Sequence, residues 1–559
     1  MIVKITSKTY SVAPIPLPIL LLAALLLWGV LSSVFLKNSQ HSSFPYFQLP
    51  IDRPRSNSIN PNHNLTLLIM KRFVYPFWGL LLGSLALSSI SSQAAAKKPS
   101  FVFILVDDLG YMDVGAYNPE TFYETPHINA LAASGMKFTD GYAANPVCSP
   151  TRFGIQTGRH PSRKDATNFF SGRRGSRFAS APLHDRMDLD EVTMAEALKE
   201  QGYSTFFAGK WHLGPTEEFW PENQGYDHNY GGWKHGGPWN GGKYFTPYGN
   251  PRLSDGPEGE HLPDRLATET CRFIKANQDQ PFLAFLSFYS VHTPLIGRPD
   301  LVEKYQRKAA SIQGEEFAPE EQALIKARNP RRVRILQKHA VYGAMVEAMD
   351  LAVGKVLKQL KDLGIDDEVV VCFTSDNGGL STSEGSPTSN LPLRGGKGWI
   401  YEGGIREPFL VRWPGITRPG TISSVPVMST DFFPTFVRAA GGEPNGAGTI
   451  DGVDLMPLLA GSGRLDREAL YWHYPHYSNQ GGFPASAIRM GHWKLVERLE
   501  DGRTHLYNLA TDLGERVDMA AVHPARVSAM REKLHRWYQE VDAKFLQPLK
   551  DGTELPWHP

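Results

Sequence analysis

The stretch Phe101-Val102-Phe103-Ile104-Leu105-Val106-Asp107-Asp108-Leu109-Gly110 decides the architecture. Six apolar, β-prone residues follow one another without alternation. That pattern fits a strand buried on both faces, as in parallel sheets covered by helices. Two carboxylates come next, at the C-terminal end of the strand, where open α/β sheets place their chemistry. Three more segments repeat the arrangement. Ser204 to Ala208 runs into Gly209-Lys210-Trp211-His212, and Phe282 to Tyr289 runs into Ser290-Val291-His292-Thr293-Pro294. Val369 to Thr374 runs into Ser375-Asp376-Asn377-Gly378-Gly379. Helical patterns lie between them, over Pro126 to Gly135, Met194 to Gln201 and about Arg331 to Leu363. The expected fold is α/β: a large, mostly parallel sheet flanked by helices, with one site at its edge.

A Gly/Pro/Asn-rich stretch from Gly441 to Gly448 reads as a boundary. Beyond it, Ser486 to Met490, Trp493 to Arg498 and Thr504 to Asn508 read as short antiparallel strands, and about Pro524 to Phe545 as a terminal helix. The expected organisation is a catalytic domain over residues 97–440 and a smaller C-terminal α+β domain over residues 449–559. A chain of 559 residues is too long for a single compact core. Its formal net charge of +1 gives no global attraction to nucleic acid or to an anionic membrane. Three cysteines support neither a disulfide framework nor a C-x-x-C metal site. Cys271, in a helical stretch, and Cys372, in an apolar run, read as buried structural thiols. Cys148 stands apart, in polar, loop-like surroundings.

The N-terminus carries two export-like segments. Met70-Lys71-Arg72-Phe73, an apolar run to Leu87 and Ala94-Ala95-Ala96 form a complete signal peptide over residues 70–96. Residues 1–69 are then an upstream extension from a misassigned start. The alternative is that Pro18 to Leu36, about the length of a bilayer span, is a genuine membrane anchor. N-terminal sequencing of the exported chain separates the two. The expected location is periplasmic or secreted.

Asp107, Asp108, Asp376 and Asn377 are hard oxygen donors, suited to calcium or magnesium and not to zinc. Taken singly, each pair could equally end a strand or cap a helix. Cys148-Ser149-Pro150-Thr151-Arg152 is followed by Thr157-Gly158-Arg159. Here the sequence resembles the type I, formylglycine-dependent sulfatases of the alkaline phosphatase superfamily, whose motif is C-x-P-x-R followed by T-G-R. Gln156 departs from the pattern, where an apolar residue is usual. The resemblance continues through Asp107-Asp108-Leu109-Gly110, Gly209-Lys210-Trp211-His212-Leu213-Gly214, Val291-His292-Thr293-Pro294, Ser375-Asp376-Asn377-Gly378 and Arg394-Gly395-Gly396-Lys397-Gly398 before Glu402-Gly403-Gly404. It is closest in look to bacterial polysaccharide sulfatases and keeps family order from about residue 99 to 520.

The resemblance implies an alkaline-phosphatase-like fold and hydrolysis of sulfate monoesters. It implies that a dedicated maturation enzyme oxidises Cys148 to formylglycine, whose hydrate offers two hydroxyls. One attacks sulfur; the other later loses its proton to expel sulfate. Calcium, or less fittingly magnesium, is implied on Asp107, Asp108, Asp376, Asn377 and the modified Cys148. Arg152 and Lys210 are implied to stabilise the ionised hydrate. Lys210, Lys397 and His292 are implied around the sulfate, with Lys397 and His292 near the leaving oxygen. His212 is the candidate base, and the split of acid and base between the histidines stays open.

Three long inserts, basic Arg163 to Leu189, aromatic Trp220 to His261 and charged Gly297 to Pro330, are of a length usually functional or disordered, and the basic and aromatic ones suggest a carbohydrate. Trp220, Trp233, Trp239 and Tyr244 suit either sugar stacking or the core of a folded loop. Arg173, Arg174 and Arg177 suit neighbouring anionic groups. Trp472-His473-Tyr474-Pro475-His476-Tyr477 is expected to reach the rim of the site from the second domain. A sulfated glycan is the expected substrate. The alternatives are a phosphonate or phosphate monoester hydrolase of the same superfamily and a non-catalytic glycan-binding paralogue.

Overall fold

The computed structural model describes residues 98–239, 243–319, 331–550 and 554–559. The expected extension, signal peptide and alternative anchor lie outside the described residues. No helix among the described residues is long and apolar enough to cross a membrane.

The main sheet contains β1 (Ser100–Val106), β2 (Met136–Phe138), β3 (Ser204–Gly209), β4 (His228–Tyr230), β5 (Phe282–Ser287), β6 (Val369–Ser375), β7 (Phe409–Arg412) and β8 (Thr421–Ser423). Their spatial order is β8-β2-β7-β6-β1-β5-β3-β4. Every pairing is parallel except those of β7, which runs against β2 and β6. Helices α1 (Pro126–Ser134), α2 (Cys148–Thr157), α3 (Met194–Lys199), α4 (Leu262–Ala276), α5 (Ala340–Asp362) and α6 (Phe432–Ala439) flank it. Phe101 and Phe103 of β1 pack their rings on Phe436 and Phe432 of α6. The strand pleat turns Val102 and Ile104 to the opposite face, and they too are fully buried. Burial on both faces explains why β1 is apolar without alternation.

The register fixes the site. Val106 pairs with Ser375, Leu105 with Ser287, and Ser287 with Gly209. Four strands therefore end in one row, and the polar residues that follow them emerge side by side. Gly209 permits this. Its φ is +104°, and a Cβ there would stand 1.8 Å from the Ser287 carbonyl oxygen.

The C-terminal sheet holds β9 (Leu470–Tyr474), β10 (Ala485–Met490), β11 (Trp493–Arg498) and β12 (Thr504–Asn508), all antiparallel and in sequence order. Helix α7 (Pro524–Glu540) packs on β10 and β11. Buried Lys494 of β11 lies 2.9 Å from both Glu402 and Glu515. This ion cluster fixes the segment after Lys397 to the second sheet, and breaking one such buried partner typically costs about 3–5 kcal/mol.

Several elements differ from expectation. The long helix begins at Ala340, not Arg331. Arg332–Arg334 instead pairs as a strand with Phe317–Pro319, and His339 Nδ1 accepts from the Tyr342 amide at 3.2 Å to cap the helix. The terminal helix stops at Glu540, because Asp542 turns left-handed at φ +53° and sends Phe545 back against His473 and Tyr538. Cys148 opens a helix and is not in a loop. Trp472–Tyr474 lies in β9, with all three side chains buried, so it does not reach the rim. Strands β2, β4, β7 and β8 are too short, or too interrupted by polar residues, to stand out in sequence.

Candidate active site

All of α2, from Cys148 to Thr157, is buried. Val147 is extended at its N-cap, so Cys148 sits at the first helical position. Its Sγ lies 3.6 Å from Asp107 Oδ1 and 4.0 Å from Asp108 Oδ1. Burial pushes the thiol far above its ordinary pKa, with Lys210 and Lys397 only partly opposing. An unmodified Cys148 is therefore a neutral thiol, not a thiolate nucleophile. Its sulfur marks the place where the oxygen of an oxidised side chain would stand.

Behind Cys148 the strand ends interlock. Asp376 Oδ2 accepts from Arg152 Nε at 2.8 Å, and Asp376 Oδ1 accepts from the Asp108 amide at 3.2 Å. Arg152 Nη1 donates to the Lys210 carbonyl at 2.8 Å and to Ser287 Oγ at 2.7 Å. Lys210 Nζ lies 2.7 Å from Asp107 Oδ2, and Lys397 Nζ lies 2.8 Å from the Asp108 carboxylate. Asn377 Nδ2 donates to Asp108 Oδ1 at 2.8 Å. Ligand atoms of Asp107, Asp108, Cys148 and His292 all lie within 4.8 Å of one another.

Lys397 reaches this cluster because two glycine segments meet backbone to backbone. Gly378 donates its amide to the Gly404 carbonyl at 3.1 Å, and a Cβ on Gly378 would stand 1.9 Å from the Gly403 oxygen.

The two histidines are both neutral. Burial holds His212 well below the ordinary imidazole pKa, and the charges of Lys210 and Arg152 push the same way. Its Nδ1 is buried without a partner. Burial, with Lys397 and Lys210, does the same to His292. His292 Nδ1 lies 2.8 Å from the Thr293 carbonyl, which assigns the proton to Nδ1. Nε2 is then bare and lies 3.6 Å from Asp108 Oδ2.

Cys148, His212, His292 and Lys397 open into a cavity of about 760 Å³. Asp107, Asp108, Arg152, Lys210, Asp376 and Asn377 form its sealed base, each no more than 2% exposed. All the residues expected at the site thus converge. The expected substrate contacts divide. Trp239 lines the cavity, its ring 5.0 Å from that of His292, and Arg174 lines it too. Trp220, Trp233 and Tyr244 are buried in the folded insert. Tyr244 Oη lies 2.8 Å from the carbonyls of Tyr289 and His292, so it supports the His292 loop instead. Arg173 pairs with Asp185 and Arg177 with Glu554. Gln156, the departure from the motif, accepts from Tyr226 Oη at 3.0 Å.

The cavity also holds residues that sequence reasoning missed. Phe169, Phe170 and Asp185 come from the first insert, and Lys234 and His235 from the second. Glu384, Asn479 and Gln480 come from loops with no motif. Arg174 and Lys234 have no ion-pair partner among the described residues, so the rim carries unneutralised positive charge.

The chain matches known proteins along most of its length. The model of the family described as sulfatase matches residues 99–442, and that described as N-sulphoglucosamine sulphohydrolase, C-terminal, matches residues 396–544. A protein named sulfatase from Formosa agariphila is 30% identical, over 87% of this chain and 97% of its own. The steryl-sulfatase of Rattus norvegicus is 34% identical, over 71% of this chain and 77% of its own. Among solved structures, Ps i-CgsB in complex with k-i-k-neocarrahexaose superposes with a TM-score of 0.63 at 28% identity, over 79% of this chain and 93% of that one.

Proposed function

This chain belongs to the sulfatase family, and from that premise we propose that it desulfates a carbohydrate, using Cys148 after its oxidation to formylglycine and a bound calcium ion. The observation that carries the proposal is the cavity over Cys148. It combines a base of paired carboxylates and cations, an aromatic wall at Trp239 and free positive charge at Arg174 and Lys234. That combination suits an anionic sugar. The k-i-k-neocarrahexaose complex of Ps i-CgsB supports the same reading.

The donor set fits a divalent cation. Asn377 Oδ1 is buried without a hydrogen-bond partner. Burial raises the Asp107 pKa well above the carboxylate range; Lys210 opposes this, and the neighbouring Asp376 and Asp108 add to it. Three carboxylates faced by three cations leave no net positive charge for a sulfate, and a dication would supply it. Asp107, Asp108, Asp376, Asn377 and the modified Cys148 would hold the ion, and carboxylate, carboxamide and oxygen donors suit calcium. When bound, it would polarise the sulfate oxygens and acidify the attacking hydroxyl. Formylglycine hydrate would supply that hydroxyl and a second one to release sulfate.

The chain's own residues do the rest. Arg152 is held by Asp376, Ser287 and the Lys210 carbonyl, which leaves Nη2 buried and without a partner, ready to donate. Lys397 is the stronger candidate for proton donor to the leaving oxygen. Burial is the largest influence and opposes its charge, but the surrounding anionic groups, Asp108 foremost, together outweigh it and raise its pKa well above the usual lysine value. His292 has no proton on Nε2 and must first acquire one. Neutral His212 is the base for sulfate release.

The burial of α2 adds a prediction about maturation. No enzyme reads Cys148 to Arg152 through a sealed helix, so oxidation precedes folding. Native, unmodified protein incubated with a formylglycine-generating enzyme is expected to gain no aldehyde, whereas an unfolded peptide spanning residues 144–160 gains it. Mass spectrometry of the Cys148 peptide reads the result. Equal conversion of the native protein would contradict this order.

A desulfation screen on defined sulfated oligosaccharides, alongside nitrophenyl sulfate, tests the function. Release of sulfate from at least one saccharide is expected. Turnover confined to the aryl ester would refute a glycan substrate.

A further inference from the structure

Two of the inserts line the cavity, and both are anchored beside the nucleophile. Ser149 Oγ, on the residue after Cys148, accepts from the Phe170 amide at 3.2 Å and donates to the His212 carbonyl at 2.9 Å. This ties the first insert to the start of α2. Gly236 of the second insert lies against His212 itself, where a Cβ would stand 2.5 Å from the imidazole Cε1. Arg174 follows Phe170 by four residues, and Lys234 precedes Gly236 by two. An extended chain spans at most about 3.6 Å per residue, so their backbones stay within about 14 Å and about 7 Å of these anchors. That is the scale of a neighbouring sugar, not of a distant surface.

The pattern of ion pairs singles out these two residues. Every other arginine and lysine of the first insert has a carboxylate partner. Arg174 has none among the described residues, and neither has Lys234. Both are exposed in the lining, whereas Cys148 lies 2% exposed at the floor. Of the carboxylates in the lining, Asp185 is occupied by Arg173 and the Ser171 amide. Glu384 has no cation partner among the described residues and accepts from the Asn479 and Gln480 side chains at 2.6 Å. Two free cations thus stand against one such carboxylate, and a cleft biased in this way gathers ions of the opposite sign. The scissile sulfate has to reach Cys148 at the floor. The cations of the mouth are left for a different group.

We propose that Arg174 and Lys234 form a second anion subsite, which holds a sulfate or carboxylate on the same glycan in addition to the sulfate that is cleaved. The enzyme thereby selects polyanionic sugars over monosulfated ones. The inference rests on the carbohydrate reading of the site and goes past it, because a sugar with a single sulfate satisfies that reading. The planar guanidinium of Arg174 suits either oxyanion, and Lys234 adds a point charge. Exposed ion pairs are modest, so each cation contributes about three- to fivefold to the preference, and the two together about tenfold or more.

The test uses the mature enzyme and three matched oligosaccharides built on the best saccharide from the screen, all with the same scissile sulfate. One carries a second sulfate on the neighbouring ring, one a carboxylate there, and one neither. Wild-type kcat/KM is expected to favour at least one of the two doubly anionic sugars over the monosulfated one by about tenfold or more at about 0.05 M salt. Whichever is favoured identifies the group. The preference should shrink to about threefold or less at about 0.5 M salt, where the screening length is about 4 Å. Arg174→Gln and Lys234→Gln should each reduce it about three- to fivefold, through KM, and the double variant should bring it near unity. Both side chains are exposed, and kcat/KM on the monosulfated sugar reads any general damage to the fold. A wild-type enzyme without the preference, or a preference that survives high salt or the double substitution, overturns the proposal. A wild-type enzyme inert on every sulfated saccharide overturns the substrate reading and this inference with it, and is distinct from sugar turnover that ignores the second charge.

Discussion

Cys148→Ala is expected to abolish sulfate-ester turnover, lowering kcat by at least about 10⁴-fold, in line with other enzymes that lose a covalent nucleophile. The fold should survive. Cys148 is the first residue of α2, where alanine is well tolerated, and the deletion removes one buried atom. The activity should not survive, because nothing else at the site can replace the nucleophile. The other groups facing the cavity base are carboxylates tied to cations, two lysines, Arg152 and two neutral histidines. Cys148→Ser gives a sharper result. Serine supplies one hydroxyl without the second on the same carbon. It can take sulfate once and has no internal route to release it. The expected signature is at most one equivalent of alcohol per enzyme in a rapid-quench assay, then silence. Steady turnover by Cys148→Ala, or unmodified thiol alone in the active enzyme, would refute the mechanism.

Much of this site was legible because strand ends are legible. β1, β3, β5 and β6 are apolar runs that stop abruptly at polar residues, and burial on both faces enforces that pattern. The register that aligns Val106, Ser375, Ser287 and Gly209 then follows from parallel pairing. Cys148 reads as loop-like because Ser149, Thr151 and Arg152 are polar and Pro150 is a turn former. The structure uses that polarity inward: Arg152 is a buried charge held by Asp376, and Thr151 Oγ1 donates to the Asn145 carbonyl. Local composition cannot distinguish a solvated loop from a buried polar helix whose partners come from distant strands. The same limit explains the cavity wall. Glu384 accepts from Asn479 and Gln480, 95 and 96 positions away, and no local pattern marks that contact. The aromatic insert shows the reverse error. Trp220, Trp233 and Tyr244 share the composition of a sugar platform, but a folded insert needs its own core, and only Trp239 of that set reaches the cavity.

Asp376→Ala is expected to separate the two tasks of one carboxylate. Asp376 is fully buried, and its oxygens serve the Arg152 guanidinium at 2.8 Å and the Asp108 amide at 3.2 Å. Removing it strands a buried arginine whose next carboxylate, Asp107, is 3.9 Å away. The stability loss should be about 3–5 kcal/mol, the usual cost of breaking a buried pair on one side. Denaturant unfolding measures it. Asp376→Asn keeps one acceptor oxygen, for either Arg152 or the Asp108 amide, turns its NH2 toward the other donor and drops the charge; it still fills the site and should cost somewhat less than alanine, about 1–3 kcal/mol. Activity should behave differently. If Asp376 holds the metal, both variants lose a charged ligand, and both should fall by about 10³-fold or more, the several kcal/mol that a Lewis acid contributes. Bound calcium, measured after gel filtration, should fall with activity, and raising calcium should rescue Asn further than Ala. The contrast is what decides. A folded asparagine variant with little metal and little activity assigns Asp376 to the ion. Asparagine with full metal and activity would reduce Asp376 to an anchor for Arg152.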